Sequence, residues 1–312
     1  MTRTALIAHA RDSIAKGSKS FAMASQLFAP HTRERAWLLY SWCRRCDDMA
    51  DGQDHGGVLT PVADAAAVLE EMRTKTDAAL RGEVTGDPAF DGLGVVARET
   101  GLPAAFTHDL IAGFALDAQG WRPQTTDDLM RYCYHVAGAV GLMMAVVMGV
   151  RPDDRATLDR ACDLGLAFQL ANIARDIAED QAAGRCYIPA NWLVELGLTS
   201  ETLMDDANRA RRAVIGRRLA DMAARYEASA RHGTPALGYR SAWAVLAAAG
   251  IYGDIAREVA RLGGWAWEER VTTSKAAKLG WLVRAAVQAC TRSVRWPAAK
   301  ARNPGLWTRP RH

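Results

Sequence analysis

The chain has 312 residues, 49% of them apolar and 24% charged, the balance of a soluble globular protein with enough apolar mass for one large core. A net charge of only +4, with no basic stripe interleaved with aromatics, excludes a nucleic-acid partner. Residues 1–16 lack the apolar run of a secretory signal. The six cysteines (43, 46, 133, 162, 186 and 290) are too sparse for a disulfide framework, so a cytoplasmic setting is expected.

Ser18-Lys19-Ser20-Phe21 places two hydroxyls and an ammonium at a turn or helix start. It reads equally as an anion-binding edge or as a helix cap with a solvated lysine. Apolar residues then recur at three- and four-residue spacing over 33–50, predicting a helix that ends in Arg44-Arg45-Cys46-Asp47-Asp48-Met49-Ala50-Asp51. Cys43-x-x-Cys46 has neither the second pair of a zinc site nor the setting of a redox motif. A breaker at 52–57 precedes a helix over 61–80, and glycines punctuate 82–92 and 120–125.

The next helix, 127–150, contains Gly138, Gly141, Ala137, Ala139 and Ala145. Such small side chains either leave a channel for an elongated apolar ligand or let two helices approach closely. Its run free of charge and histidine, 136–150, is shorter than the ~20 residues of a membrane span and reads as a buried helix. Further helices are predicted over 153–180, 202–229 and 240–262, with breakers at 183–189 and 233–235. Two-residue alternation is almost absent. The prediction is one all-α domain, 1–295, of about ten helices around a central cavity, followed by an irregular basic tail, 296–312. The late basic residues Arg284, Arg292, Arg295, Lys300, Arg302, Arg309 and Arg311 fit either a solvated tail or peripheral contact with the inner face of an anionic membrane.

Four Asp-x-x-x-Asp pairs occur, and context separates them. Asp87 precedes Pro88, which disfavours helix, so Asp87/Asp91 reads as loop chemistry. Asp159/Asp163 alternates with Arg155 and Arg160 and reads as a solvated helix face. Asp47 and Asp51, with Asp48, sit at a predicted helix C-terminus, where carboxylates oppose the helix dipole. Asn172, Asp176 and Asp180 form an i, i+4, i+8 stripe drifting only about 40° per step. Between them lie Ile173, Ala174, Ile177 and Ala178, so that helix is largely buried. Buried carboxylates must be neutralised. Mg²⁺ suits them, because it takes oxygen ligands and is held by one or two carboxylates plus substrate phosphates. Arg44 and Arg175 stand ready to bind phosphate, although each also has an acid four residues on, Asp48 and Glu179, for a plain helical ion pair.

Taken in order, Ser18 to Phe21, Tyr40 with Arg44, the 47–51 motif, Tyr132-Cys133-Tyr134-His135-Val136-Ala137-Gly138, the 169–180 motif and Gly184-Arg185-Cys186-Tyr187-Ile188-Pro189 resemble squalene and phytoene synthases, most closely the bacterial phytoene synthases. The resemblance runs to about Arg295. It implies an all-α isoprenoid synthase fold and Mg²⁺-dependent head-to-head condensation of two geranylgeranyl diphosphates. The product would be phytoene, formed through a cyclopropylcarbinyl (prephytoene) diphosphate in the first committed step of carotenoid biosynthesis.

By the same resemblance, Asp47, Asp48, Asp51, Asn172, Asp176 and Asp180 hold Mg²⁺, for which Mn²⁺ could substitute. Ser18, Lys19, Ser20, Phe21, Tyr40, Arg44, Gln169, Arg175, Tyr252 and Arg270 contact substrate, and Tyr132 lies near the reacting carbons. No nicotinamide is expected, and a downstream carotenoid enzyme is an expected partner. Three alternatives stay open: a squalene or dehydrosqualene synthase using farnesyl diphosphate, a catalytically silent helical scaffold of the same fold, and a helical metallohydrolase, which the lack of clustered histidines weakens. His135 reads as a packed core histidine.

Overall fold

In a computed structural model, residues 1–52 and 64–311 are described, and the side chains of Lys19 and Ser20 are not. The breaker at 53–57 and the first turn of the helix expected over 61–80 lie outside the described residues. Among those described, the chain forms thirteen α-helices with short 3₁₀ segments and no strand. They are α1 (Arg3–Gly17), α2 (Lys19–Ser25), α3 (Pro30–Asp51), α4 (Ala65–Leu80), α5 (Pro88–Thr100), α6 (Ala104–Ala118) and α7 (Thr126–Cys133). Then come α8 (Ala139–Val147), α9 (Arg155–Ala182), α10 (Ala190–Glu195), α11 (Arg209–Ala230), α12 (Tyr239–Leu262) and α13 (Lys275–Arg295).

Local chemistry sets the ends that matter for the site. Pro30 opens α3, where its missing N–H is no loss. Gly52 closes α3 in the left-handed region (φ 60°), returning its N–H to the Asp48 carbonyl. Asp47 and Asp51 therefore occupy the last turn, as their spacing predicts. Between α7 and α8 a π turn, Tyr134–Gly138, joins the two into one rod, Thr126–Val147. By length and composition alone that rod could cross a membrane, but 61% of its apolar window is buried in the protein. It is a core helix of the bundle.

At the centre runs α9, packed against α8, α11 and α12. Its approach to α8 settles the two readings of the small residues. A Cβ at Gly141 would lie 2.4 Å from the Ala161 carbonyl oxygen, and one at Gly165 would lie 2.3 Å from that of Ala137. The glycines allow backbone contact, while Val136, Ala137, Val140, Met144 and Ala145 face a cavity beside them. Both readings hold, since Ala137, Gly141 and Gly165 form the seam and also line that cavity.

The solvated face expected for Asp159 and Asp163 is corrected. Asp163 is fully buried and accepts from Arg302 Nη2 (2.7 Å) and Ser229 Oγ (2.5 Å), while Asp159 pairs with Arg309 and Arg311. Nearby arginines at helical spacing suggested local pairing, yet the true partners come about 140 residues later. The segment after α13 has no regular secondary structure, but it is not a free tail. Leu306 is buried, and the Trp307 ring lies 5.8 Å from that of Tyr134.

Candidate active site

Two cavities, each of about 410 Å³, adjoin along α9 and the 126–147 rod. Volumes of this order suit small organic ligands. The first is acidic. Asp47 and Asp51 face it from α3, Asp117 from α6, and Asn172, Asp176 and Asp180 from α9. The second is apolar, with Phe21, Phe28, Phe168 and Tyr252 among its walls. Val136, Val140, Gln169 and Asn172 line both.

Arginines tie down the carboxylates. Arg44 Nη1 donates to Asp47 Oδ2 at 2.5 Å and Arg185 Nη2 to Asp51 Oδ1 at 2.6 Å. Asp176 takes a forked contact from Arg175, Nε to Oδ1 at 2.7 Å, and a second cation in Arg270, Nη2 to Oδ1 at 2.9 Å. The expected helical pair of Arg175 with Glu179 gives way to this contact with its neighbour. A break at Asp176 (φ −97°, ψ 15°) leaves the helical region there, so adjacent side chains no longer diverge as in a regular helix. Arg270, half exposed, also reaches Glu179 at 3.4 Å.

Burial, with like charges alongside, raises one carboxyl on each wall. Burial pushes the Asp47 carboxyl up to about 6, with Arg44 opposing and Asp51 and Asp48 adding to the rise. Burial and then neighbouring Asp176 push Asp180 up to about 7. Among the described residues Asp180 makes no ion pair, and no three acidic, histidine or cysteine side chains already form a metal-holding cluster.

Deeper in, Asp117 accepts hydrogen bonds from Tyr132 OH (3.0 Å) and Tyr187 OH (2.9 Å). The Tyr132 ring stacks on Tyr187 (4.6 Å between centroids) and on Trp121 (5.7 Å). Burial raises the pKa of Asp117 and, further from its ordinary value, that of Tyr132. At the other flank, Tyr40 OH and Arg44 Nε are buried with no well-formed hydrogen bond among the described residues. Gly17 makes room for them: a Cβ there would lie 2.5 Å from Tyr40 OH.

Of the predicted residues, Asp47, Asp51, Asp176, Asp180, Asn172, Gln169, Tyr40, Arg44 and Tyr132 meet at the acidic cavity. Phe21 and Tyr252 line the apolar one. Arg175 and Arg270 reach the site only through Asp176. Asp48 is placed elsewhere: one residue after Asp47 it points about 100° away around the helix, is 6% exposed and does not line the cavity. Ser18 caps α2, its Oγ accepting from the Phe21 N–H at 3.3 Å. The side chains of Lys19 and Ser20 lie outside the description. Sequence reasoning assigned no role to Asp117, Arg185 or Tyr187. The last two stood in a quoted motif, but Asp117 carries no spacing signal. His135 is half-buried and its Nδ1–H donates to the Asp109 carbonyl (2.9 Å).

A family model described as squalene/phytoene synthase matches residues 14–277. The chain belongs to the squalene/phytoene synthase family. Among its relatives, the 15-cis-phytoene synthase of Enterobacter agglomerans is 50% identical over 94% of this chain and 99% of that protein. The phytoene synthase of Pseudescherichia vulneris is 46% identical over 99% of this chain and all of that one. A crystal structure of a dehydrosqualene synthase with bound ligand superimposes with a TM-score of 0.82 at 26% identity, over 93% of this chain and 98% of the other. The isoprenoid synthase fold expected from the sequence is therefore the fold of this chain.

Proposed function

We propose that this enzyme is a prenyltransferase that joins two geranylgeranyl diphosphates head to head, through prephytoene diphosphate, to give phytoene and so commit isoprenoids to carotenoids. The observation that carries this reading is an acidic, arginine-edged chamber adjoining an apolar one. That pair of chambers matches a molecule with a diphosphate head and a hydrocarbon body. Relatives named phytoene synthases, 44–50% identical over nearly the whole chain, support the twenty-carbon substrate over the fifteen-carbon one. Intact carboxylates on both walls weigh against a silent scaffold.

The donor set fits Mg²⁺, or Mn²⁺ in its place. Asp47, Asp51, Asn172, Asp176 and Asp180 offer oxygen ligands, and the carboxyls at 47 and 180, raised chiefly by burial, would be restored to the charged form by a cation. When bound, the cations would neutralise the diphosphate as the allylic C–O bond breaks. A millionfold acceleration requires about 8 kcal/mol, far beyond the ~1 kcal/mol of a surface ion pair, so several preorganised charges must act together. Arg44, Arg175, Arg185 and Arg270 supply them, exchanging carboxylate for phosphate oxygens. Tyr132 and Tyr187, which line the acidic chamber, offer aromatic π density to the carbocation that remains. Asp117 holds both rings in place.

A second element of the reading is peripheral contact with an anionic membrane. Leu279, Val283, Val287 and Val294 on α13 are 60–88% exposed and recur at helical spacing. The helix carries Lys275, Lys278, Arg284, Arg292 and Arg295 and no acid. An apolar stripe with basic flanks suits an interface that could receive an insoluble hydrocarbon.

Incubation with geranylgeranyl diphosphate and Mg²⁺, without nicotinamide, should yield phytoene on chromatographic analysis. A hydrocarbon made only from farnesyl diphosphate would transfer the assignment to the squalene or dehydrosqualene alternative, and no product at all would favour the scaffold.

A further inference from the structure

The apolar chamber has a floor built from both ends of the chain's second half. Arg160 lines it, together with Thr157 and Ala161 of α9 and Gly233 and Thr234 after α11. Arg160 is only 7% exposed, and its guanidinium is satisfied from behind the chamber wall. Nη1 donates to Ser229 Oγ at 2.6 Å, and Nη2 donates to the Lys300 carbonyl at 2.7 Å. That carbonyl belongs to the segment after α13, which is itself anchored by Arg302 on buried Asp163 (2.7 Å) and by the Pro297 carbonyl against His232 Nδ1 (3.1 Å). Ser229 Oγ in turn donates to Asp163, closing the network. Gly233 lets the chain pass close, since a Cβ there would lie 2.7 Å from Arg160 Cβ. The guanidinium is thus locked in position by a C-terminal strap, and not free to swing aside for a ligand.

Position along α9 gives the floor a meaning. Arg160 lies sixteen residues, about 24 Å of helix, from Asp176 in the acidic chamber. An extended geranylgeranyl chain is about 20 Å long by ordinary bond geometry, so its end would approach the floor. We propose that Arg160, held by Lys300 of the C-terminal strap, is the residue that sets the longest prenyl chain this enzyme accepts. The proposal rests on the reading of the two chambers as a prenyl diphosphate site. A buried cation held by hydrogen bonds suits the role because a hydrocarbon tip can neither displace it nor share those bonds.

The test compares fifteen-, twenty- and twenty-five-carbon allylic diphosphates on wild type, Arg160→Ala and Ala161→Phe, after circular dichroism confirms the fold of each. Binding of the corresponding non-ionisable thiolodiphosphates provides a readout independent of turnover. Arg160→Ala opens the floor, so the preference for twenty-five over twenty carbons should rise about tenfold, the scale on which pocket length discriminates. Ala161→Phe raises the floor and should shift preference toward fifteen carbons by a similar factor; it carries the test alone if Arg160→Ala does not fold. Ratios unchanged within twofold in a folded variant, with an active wild type, would overturn the floor assignment and leave the site reading intact. A wild type that neither binds nor turns over any of the three would overturn the site reading and the floor with it.

Discussion

Asp180 has lost most of its water to burial and stands beside Asp176, which together lift its carboxyl to about 7. The folded protein therefore holds that proton more tightly than the unfolded chain, whose value is near 4. A group of this sign destabilises progressively as pH climbs from 4 through 7 and costs nothing below 4. Asp180→Asn should thus stabilise the metal-free protein at pH 8 by roughly 1–3 kcal/mol, and by nothing measurable at pH 3.5, read from urea unfolding. Added Mg²⁺ and inorganic diphosphate should reverse the order, stabilising wild type and scarcely affecting the variant. Asp176→Ala should lower turnover at least ~10³-fold with helix content unchanged in circular dichroism; wild-type rates would refute its role. How much of this was legible varies by residue. Asp47, Asp51, Asp176 and Asp180 could be read because helical spacing put each pair on one face. Asp117 could not, since no acid stands four residues from it and its partners, Tyr132 and Tyr187, are brought to it by the fold.

Helix geometry explains why the two chambers adjoin. The 126–147 rod and α9 touch backbone to backbone at Gly141 and Gly165, and this close seam lets residues such as Val136 and Val140 face both cavities. Gly165→Ala places a methyl 2.3 Å from a carbonyl oxygen that cannot retreat without moving the rod. Overpacking of this kind should cost about 1–3 kcal/mol and lower Tm by several degrees in thermal denaturation. An unchanged Tm would mean the seam is softer than it looks. In the sequence, small residues over 137–145 could signal a channel or a tight crossing, and no spacing rule separates those, because Ala137 and Gly141 serve both. Asp159 and Asp163 misled for a related reason. Their arginine neighbours mimic an exposed ion-paired face, while the partners that bury them, Arg302, Arg309 and Arg311, lie far along the chain.

For the molecule as a whole, those long-range pairs change what the basic C-terminal residues can do. Arg302, Arg309 and Arg311 are committed to internal carboxylates, so surface charge for a membrane must come from α13. Vesicles rich in phosphatidylglycerol should sediment the protein at low salt, neutral phosphatidylcholine vesicles should do so much less, and Val283→Glu with Val287→Glu should release it. Equal binding by that double variant would place the contact elsewhere. The deeper dependence is on two opposed acidic walls and an adjoining apolar channel working as one site. The most direct measurement is a crystal structure with Mg²⁺ and the thiolodiphosphate analogue of geranylgeranyl diphosphate. Density for the diphosphate between Asp47/Asp51 and Asp176/Asp180, with the chain running along α9 toward Arg160, is the predicted result; a diphosphate bound away from those carboxylates, or a chain lying outside the channel, would contradict it.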